Sequence, residues 1–296
     1  MGSRIFLFAI LFALADTNRA STFQVDSSVD ARDADVADAQ CLSAQGQCSL
    51  RAAIEQANAL ASNDLIVLPP GDYTLSLTGA NEDAAASGDL DLVGNLAILG
   101  SDAATTRILA NGDRAFDVRL EAVVSLTRIG IHQGGAVASG GGIQNAGTLV
   151  LTSCEISGNG GDTRPVVSGG GIFNLGLLTM SGGSIRDNQV QGGPVSPVSG
   201  GGIYSTTGLL LSGVRLENNR ALGNLASGGA VGAIAPGLVQ IVNSEIVGNQ
   251  ASLGGGFAVN GRISPSPARC SPATAPCALA VARECRRAAW NWSIPR

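Results

Sequence analysis

From about residue 140 the apolar residues of this chain recur in columns. Leu149 and Leu151 are followed by Cys154 and Ile156, and the set returns as Leu178, Met180, Gly183 and Ile185. It returns again as Leu209, Leu211, Val214 and Leu216, and then as Val239, Ile241, Ser244 and Ile246. A spacing of two is the strand period, which sends alternate side chains to one face. The one spacing of three in each set marks a bend between two short strands. Ile143, Ile172, Ile203 and Val231 supply a further inward position and predict a third strand. Each copy reads as one turn of a parallel β-helix, paired with the turns above and below about 4.8 Å away. A helical solenoid fits poorly, because the apolar period is two and each glycine would cost a helix about 1 kcal/mol.

The punctuation between the columns repeats as well. Ser139-Gly140-Gly141-Gly142 returns at Ser168 and Ser199, and loosened at Ser227-Gly228-Gly229-Ala230. Asn159, Asn188, Asn219 and Asn249 close the four copies. Glycine at equivalent points suits tight corners with positive φ. The asparagines are read as a structural register ladder, at a corner where asparagine tolerates the left-handed conformation and bonds its neighbour in the next coil. Four or five inward aliphatics per coil, at about 1.5–3 kcal/mol each when buried, form a continuous core only if the coils stack.

The two ends differ from this middle. Residues 1–20 have the form of an export signal: Arg4, the apolar run Ile5–Ala15, and cleavage after Ala15 or Ala20. No segment is long and apolar enough to span a bilayer as a helix. Residues 21–62 form an N-terminal cap segment. It opens with Asp26, Asp30, Asp33, Asp35 and Asp38, followed by Cys41 and Cys48, and then by Ser49 as the N-cap of a short helix with Leu50, Ile54 and Ala57 on one face. Such a helix would cover the open first coil. The β-helix is expected over 63–260. Beyond it, 261–296 is irregular and proline-broken, with Cys270, Cys277 and Cys285. Two readings of this tail stand: a cap with its own disulfide, or a lost reading frame, which the abandoned fifth coil at Leu253–Asn260 favours. The tail is expected to pack little against the coils.

Cys48-Ser49-Leu50-Arg51-Ala52-Ala53-Ile54 with Ala57-Asn58 resembles the Cys-Ser-Leu-Arg-Glu-Ala segment of the CSLREA domain of exported bacterial proteins, with Ala52 in place of Glu. The Gly-Gly-x-Ile elements and the apolar-x-x-Asn elements ending at Asn159, Asn188, Asn219 and Asn249 resemble the repeats of polymorphic outer membrane proteins, with Ile or Leu where those carry Phe. The resemblance implies an exported right-handed β-helix, often a surface-displayed passenger, and brings no catalytic residues with it.

Charge and composition then narrow the chemistry. A formal net charge of −5 with no lysine argues against nucleic acid. His132 is the single histidine, which excludes a multi-histidine metal site, and its place after Ile131 predicts an outward, solvated ring. Cys41 and Cys48 are candidate disulfide partners in an exported chain, the alternative being two free thiols. Cys154 falls in an inward column and reads as a packed core thiol. The outward columns Glu155, Ser184, Arg215, Glu245 and Ser157, Arg186, Glu217, Val247 predict cross-coil pairs Arg215–Glu245 and Arg186–Glu217 rather than a carboxylate cluster. The acidic stretches Asp26–Asp38 and Glu82-Asp83 with Asp89 and Asp91 are expected to be solvated loops; weak calcium binding there is left open, and no other cofactor is expected.

The leading expectation is a secreted or surface-exposed, outer-membrane-associated and non-enzymatic β-helix of adhesin, passenger or stalk type. Its partners would be surface glycans or host and cell-surface proteins. The alternative is a polysaccharide lyase or glycoside hydrolase. Aromatic residues are scarce, at 4%, but Phe173 and Tyr204 share a column and form a candidate ligand patch.

Overall fold

The computed structural model describes residues 20–79, 82–135, 139–160, 168–192, 197–264, 269–270 and 280–281. Over these residues it is a parallel β-helix with one short helix. Three strips of strands run up the stack, each strand pairing in parallel with its counterpart one coil away. In the first strip Leu90–Leu92 pairs with Phe116–Val118, which pairs with Ile143–Asn145, Ile172–Asn174 and Ile203–Ser205 in turn. In the second, Leu149, Leu178, Leu209 and Val239 stand in register, as the periodicity requires. In the third, Ile131, Ile156, Ile185, Leu216 and Ile246 do the same. These inward columns are buried and form one continuous core, with Cys154 inside it.

Three corners per coil turn the chain, and each uses left-handed backbone. One is the first glycine of each triplet, with φ of 64° at Gly140, 62° at Gly169 and 70° at Gly200. A second is the bend expected between Leu151 and Cys154, taken by Ser153, Gly182, Gly213 and Asn243. The third precedes the asparagine column. Here the sequence reading needs correction, for Gly158, Asp187, Asn218 and Gly248 carry the positive φ and the ladder asparagines do not. The asparagine side chains are thereby turned inward. Asn159, Asn188 and Asn219 are fully buried, each bonded to the next asparagine along the stack. The middle glycine of a triplet serves close approach instead: a β-carbon on Gly170 would collide with the carbonyls of Gly201 and Gln189.

The stack begins before residue 63. Thr22–Gln24 pairs with residues 65–67 as the outermost strand of the second strip. Helix α1, Leu50–Ala59, then closes the end of the core with Ala53 and Ile54 fully buried. Ser49 is its N-cap, its hydroxyl accepting from the Ala52 amide at 3.0 Å. Cys41 and Cys48 are joined by a disulfide. Of the acidic stretch ahead of them, Asp35 and Asp38 are exposed, as expected, while Asp26 and Asp30 are bonded into the cap. Asp30 pairs with Arg51 at 2.6 Å with both side chains almost fully buried, and Asp26 accepts the Cys48 amide at 2.8 Å. Arg51 also donates to the carbonyls of Ala85 and Gly88 and so ties the helix to the loop before the first strip.

At the other end the coil continues past 260. Phe257–Ser264 pairs with Val231–Val242, Arg269–Cys270 pairs with Glu245–Val247, and Ala280–Val281 pairs with residues 258–259. The described residues beyond 260 thus continue the pairing at 261–264, 269–270 and 280–281, while most of the tail expected to pack little from 263 lies outside the described residues. Parallel pairing needs only free backbone groups on the preceding coil, which the inward pattern does not report. The expected export signal, residues 1–20, lies outside the described residues except for Ala20, as do residues 265–268, 271–279 and 282–296 of the tail.

Candidate functional site

The strands of the first strip are three residues long, with their outer positions turned inward and the middle one facing out. Register therefore assembles one outward column: Asp91, Asp117, Gln144, Phe173, Tyr204, Gly232. The candidate patch Phe173 and Tyr204 is thus the upper part of a longer row. The two half-buried rings are stacked, with centroids 5.7 Å apart and planes at 7°. Burial pushes the Tyr204 hydroxyl above the usual tyrosine range, so it stays protonated as a donor.

Below the rings the row becomes polar. Gln144 Nε2 donates to both oxygens of Asp117, at 3.3 and 3.1 Å. Arg119 Nη1 reaches Asp83 at 2.8 Å, Asp117 at 3.2 Å and Asp91 at 3.3 Å. Asp91 is fully buried, and its other oxygen accepts the Ala85 amide at 3.0 Å. Burial, opposed by the Ala85 hydrogen bond and Arg119 and reinforced by Asp117, pushes Asp91 up to about 6. Asp89 lies nearby, paired with Arg114 at 2.8 Å. Burial outweighs that cation and pushes Asp89 up to about 7. A cavity of about 100 Å³, lined by Leu75, Leu77, Gly88, Asp113 and Arg114 among others, opens beside this pair.

Asp89 and Asp91 are therefore not solvated loop residues, as the sequence reading had them. Nor did that reading find Asp117 and Gln144. The signal was present: Leu90-Asp91-Leu92 and Phe116-Asp117-Val118 are both apolar-polar-apolar, and Ile143-Gln144 opens the same way. The early coils lack the glycine triplet that aligns the later ones, so the pattern alone does not place them in the same column.

The other outward columns carry ion pairs. Arg215 pairs with Glu245 as expected. Arg186 does not take Glu217; it reaches diagonally to Glu155 at 2.6 Å, while Glu217 pairs with Arg215 within its own coil at 2.8 Å. A guanidinium spans such a diagonal easily, so Cα register alone does not fix which carboxylate it takes. His132 also departs from its expected solvated place. Its ring is half-buried, Nδ1 lies 2.8 Å from Ser157 Oγ, and burial lowers its pKa. Ser157 donates onward to Glu155 at 3.1 Å. The acid thus contacts the serine and not the histidine, the reverse of the order that activates a nucleophile.

Among the described residues no three histidine, cysteine or acidic side chains converge as a cation site. No family model, characterised protein or solved structure matches this chain.

Proposed function

We propose that this chain is an exported, surface-exposed β-helix that works by contact and not by bond cleavage, as an adhesin or display stalk with glycans or cell-surface proteins as ligands. The observation that carries this reading is the state of the acidic patch. A carboxylate pair acting on a polysaccharide must reach the scissile oxygen and a water. Asp91 is fully buried with both oxygens engaged, and Asp117 is held by Gln144 and Arg119. What the row offers to solvent is the aromatic pair. The disulfide at Cys41–Cys48 supports an oxidising compartment, and the resemblance of residues 48–58 to CSLREA segments supports export.

One observation favours the carbohydrate-active alternative: a carboxyl raised to about 6 one coil from a second carboxylate resembles a general acid beside its partner. A single pair of assays separates the two. Beads coated with the purified chain are expected to adhere to glycan-coated surfaces, while the same polysaccharides in solution release neither reducing ends nor unsaturated products. Product release that disappears in Asp117→Asn would replace this proposal with the enzymatic one. No adhesion to any glycan or cell surface would remove the adhesive reading.

A further inference from the structure

The geometry points to a subsite for a neutral pyranose ring, stacked on the far face of Tyr204; this rests on the contact reading above and names its ligand class. Phe173 and Tyr204 cover one face of each other. In the next coil the column holds Gly232, then Ala258, so no column side chain covers the second face of Tyr204. The glycine is required there, since a β-carbon at 232 would run into the Ser199 hydroxyl. Ser199 Oγ thus stands beside that opening, with Ser227 Oγ 3.1 Å from it.

An open aromatic face edged by hydroxyls matches the two-sided chemistry of a pyranose, whose C–H face packs on a ring while its hydroxyls turn outward. Charge selects among sugars. The ionisable members of the row are Asp91 and Asp117, and Arg119 is committed to them. The chain has no lysine and carries a net charge of −5. A uronic-acid polymer would be repelled, and a neutral hexose polymer would not. Leu175 and Ile234, exposed at 41% and 58%, follow Phe173 and Gly232 by two residues, so a second copy of the chain is the competing occupant.

Calorimetric titration of the full chain with neutral gluco-, galacto- and manno-oligosaccharides, and with oligogalacturonate, tests this. At least one neutral series is expected to bind, and oligogalacturonate to bind more weakly. Tyr204→Ala is expected to weaken binding about three- to tenfold, while Tyr204→Phe and Ile234→Ser change it by less than about twofold. Tyr204→Leu, which keeps an apolar cover on Phe173, guards against misfolding and should lose binding like the alanine variant. Preference for the acidic series, neutral binding untouched in Tyr204→Ala and Tyr204→Leu, or no neutral binding overturns the subsite. A concentration-dependent dimer abolished by Ile234→Ser assigns the face to a second copy and overturns it too. Bead adhesion that persists undiminished in Tyr204→Ala would sink the subsite alone and leave the contact reading standing.

Discussion

Asn188 Oδ1 accepts two hydrogen bonds from Asn159, one from the backbone nitrogen and one from Nδ2, each at 3.0 Å. Asn188 gives the same pair to Asn219 and returns its own Nδ2 to the Ile156 carbonyl at 2.9 Å. Each buried amide of the ladder thus has its donors and its oxygen satisfied by the coils on either side. The side chain replaces backbone pairing at a corner where the chain has turned out of strand geometry. A slip of one residue would leave several buried polar groups without partners, which is how the ladder sets register.

Replacing Asn188 should therefore be costly. Asn188→Ala takes the acceptor from the Asn159 amide, one of the two acceptors from Asn159 Nδ2, and a donor from the Ile156 carbonyl, at about 1–3 kcal/mol for each buried group. We expect a total loss of about 3–5 kcal/mol in urea unfolding, against less than about 1 kcal/mol for the exposed Asp187→Asn. A loss below about 1 kcal/mol for Asn188→Ala would show that the ladder does not hold the stack.

The disulfide closes a short loop at the entrance of helix α1. Loop-closure entropy for so short a segment is worth about 2–3 kcal/mol. Cys41→Ser with Cys48→Ala is expected to lower the melting temperature and to speed proteolysis within 26–60 while later coils stay protected. Equal protection of the cap in wild type and variant would remove the disulfide from the account.

Arg51 is the buried cation of the cap, and Asp30 accepts from it and from the amides of Ser76 and Leu77. Removing one partner of a buried ion pair leaves the other charge uncompensated, at about 3–5 kcal/mol. Arg51→Met should therefore destabilise the chain by about that amount, and the double variant Arg51→Met with Asp30→Asn by clearly less. Equal losses in the single and double variants would contradict this coupling.

Stability should fall as pH rises from about 4 to about 7. Asp89 and Asp91 have folded-state values of about 7 and about 6, above their ordinary ones, so the folded chain binds their protons more tightly than the unfolded chain does. That contribution is fully present below the unfolded value and is lost as pH passes the folded one. His132, lowered by burial, acts oppositely by disfavouring the folded state as pH falls through the ordinary histidine range. Melting temperatures from pH 5 to 8 should decline in wild type and flatten in Asp89→Asn with Asp91→Asn. An unchanged slope in that variant would place the titration elsewhere.

The sequence by itself determined the repeat, the inward columns and the bend between Leu151 and Cys154, because a period of two with one break leaves a single way to bury those side chains in a stack. Helix α1 and its Ser49 cap were legible for a similar reason, since capping is a local property of a few consecutive residues. Tertiary structure decided what lies opposite what. The row from Asp91 to Tyr204 joins residues 113 positions apart, and only the register of five coils aligns them. Burial of Asp30, Asp89 and Asp91 followed from which loops fold over them, and composition reads those same residues as solvent-exposed. The partner of Arg186 was settled by the reach of a long side chain across the columns. Local pattern fixes which face a residue occupies, while its neighbours on that face come from chain segments far away in sequence.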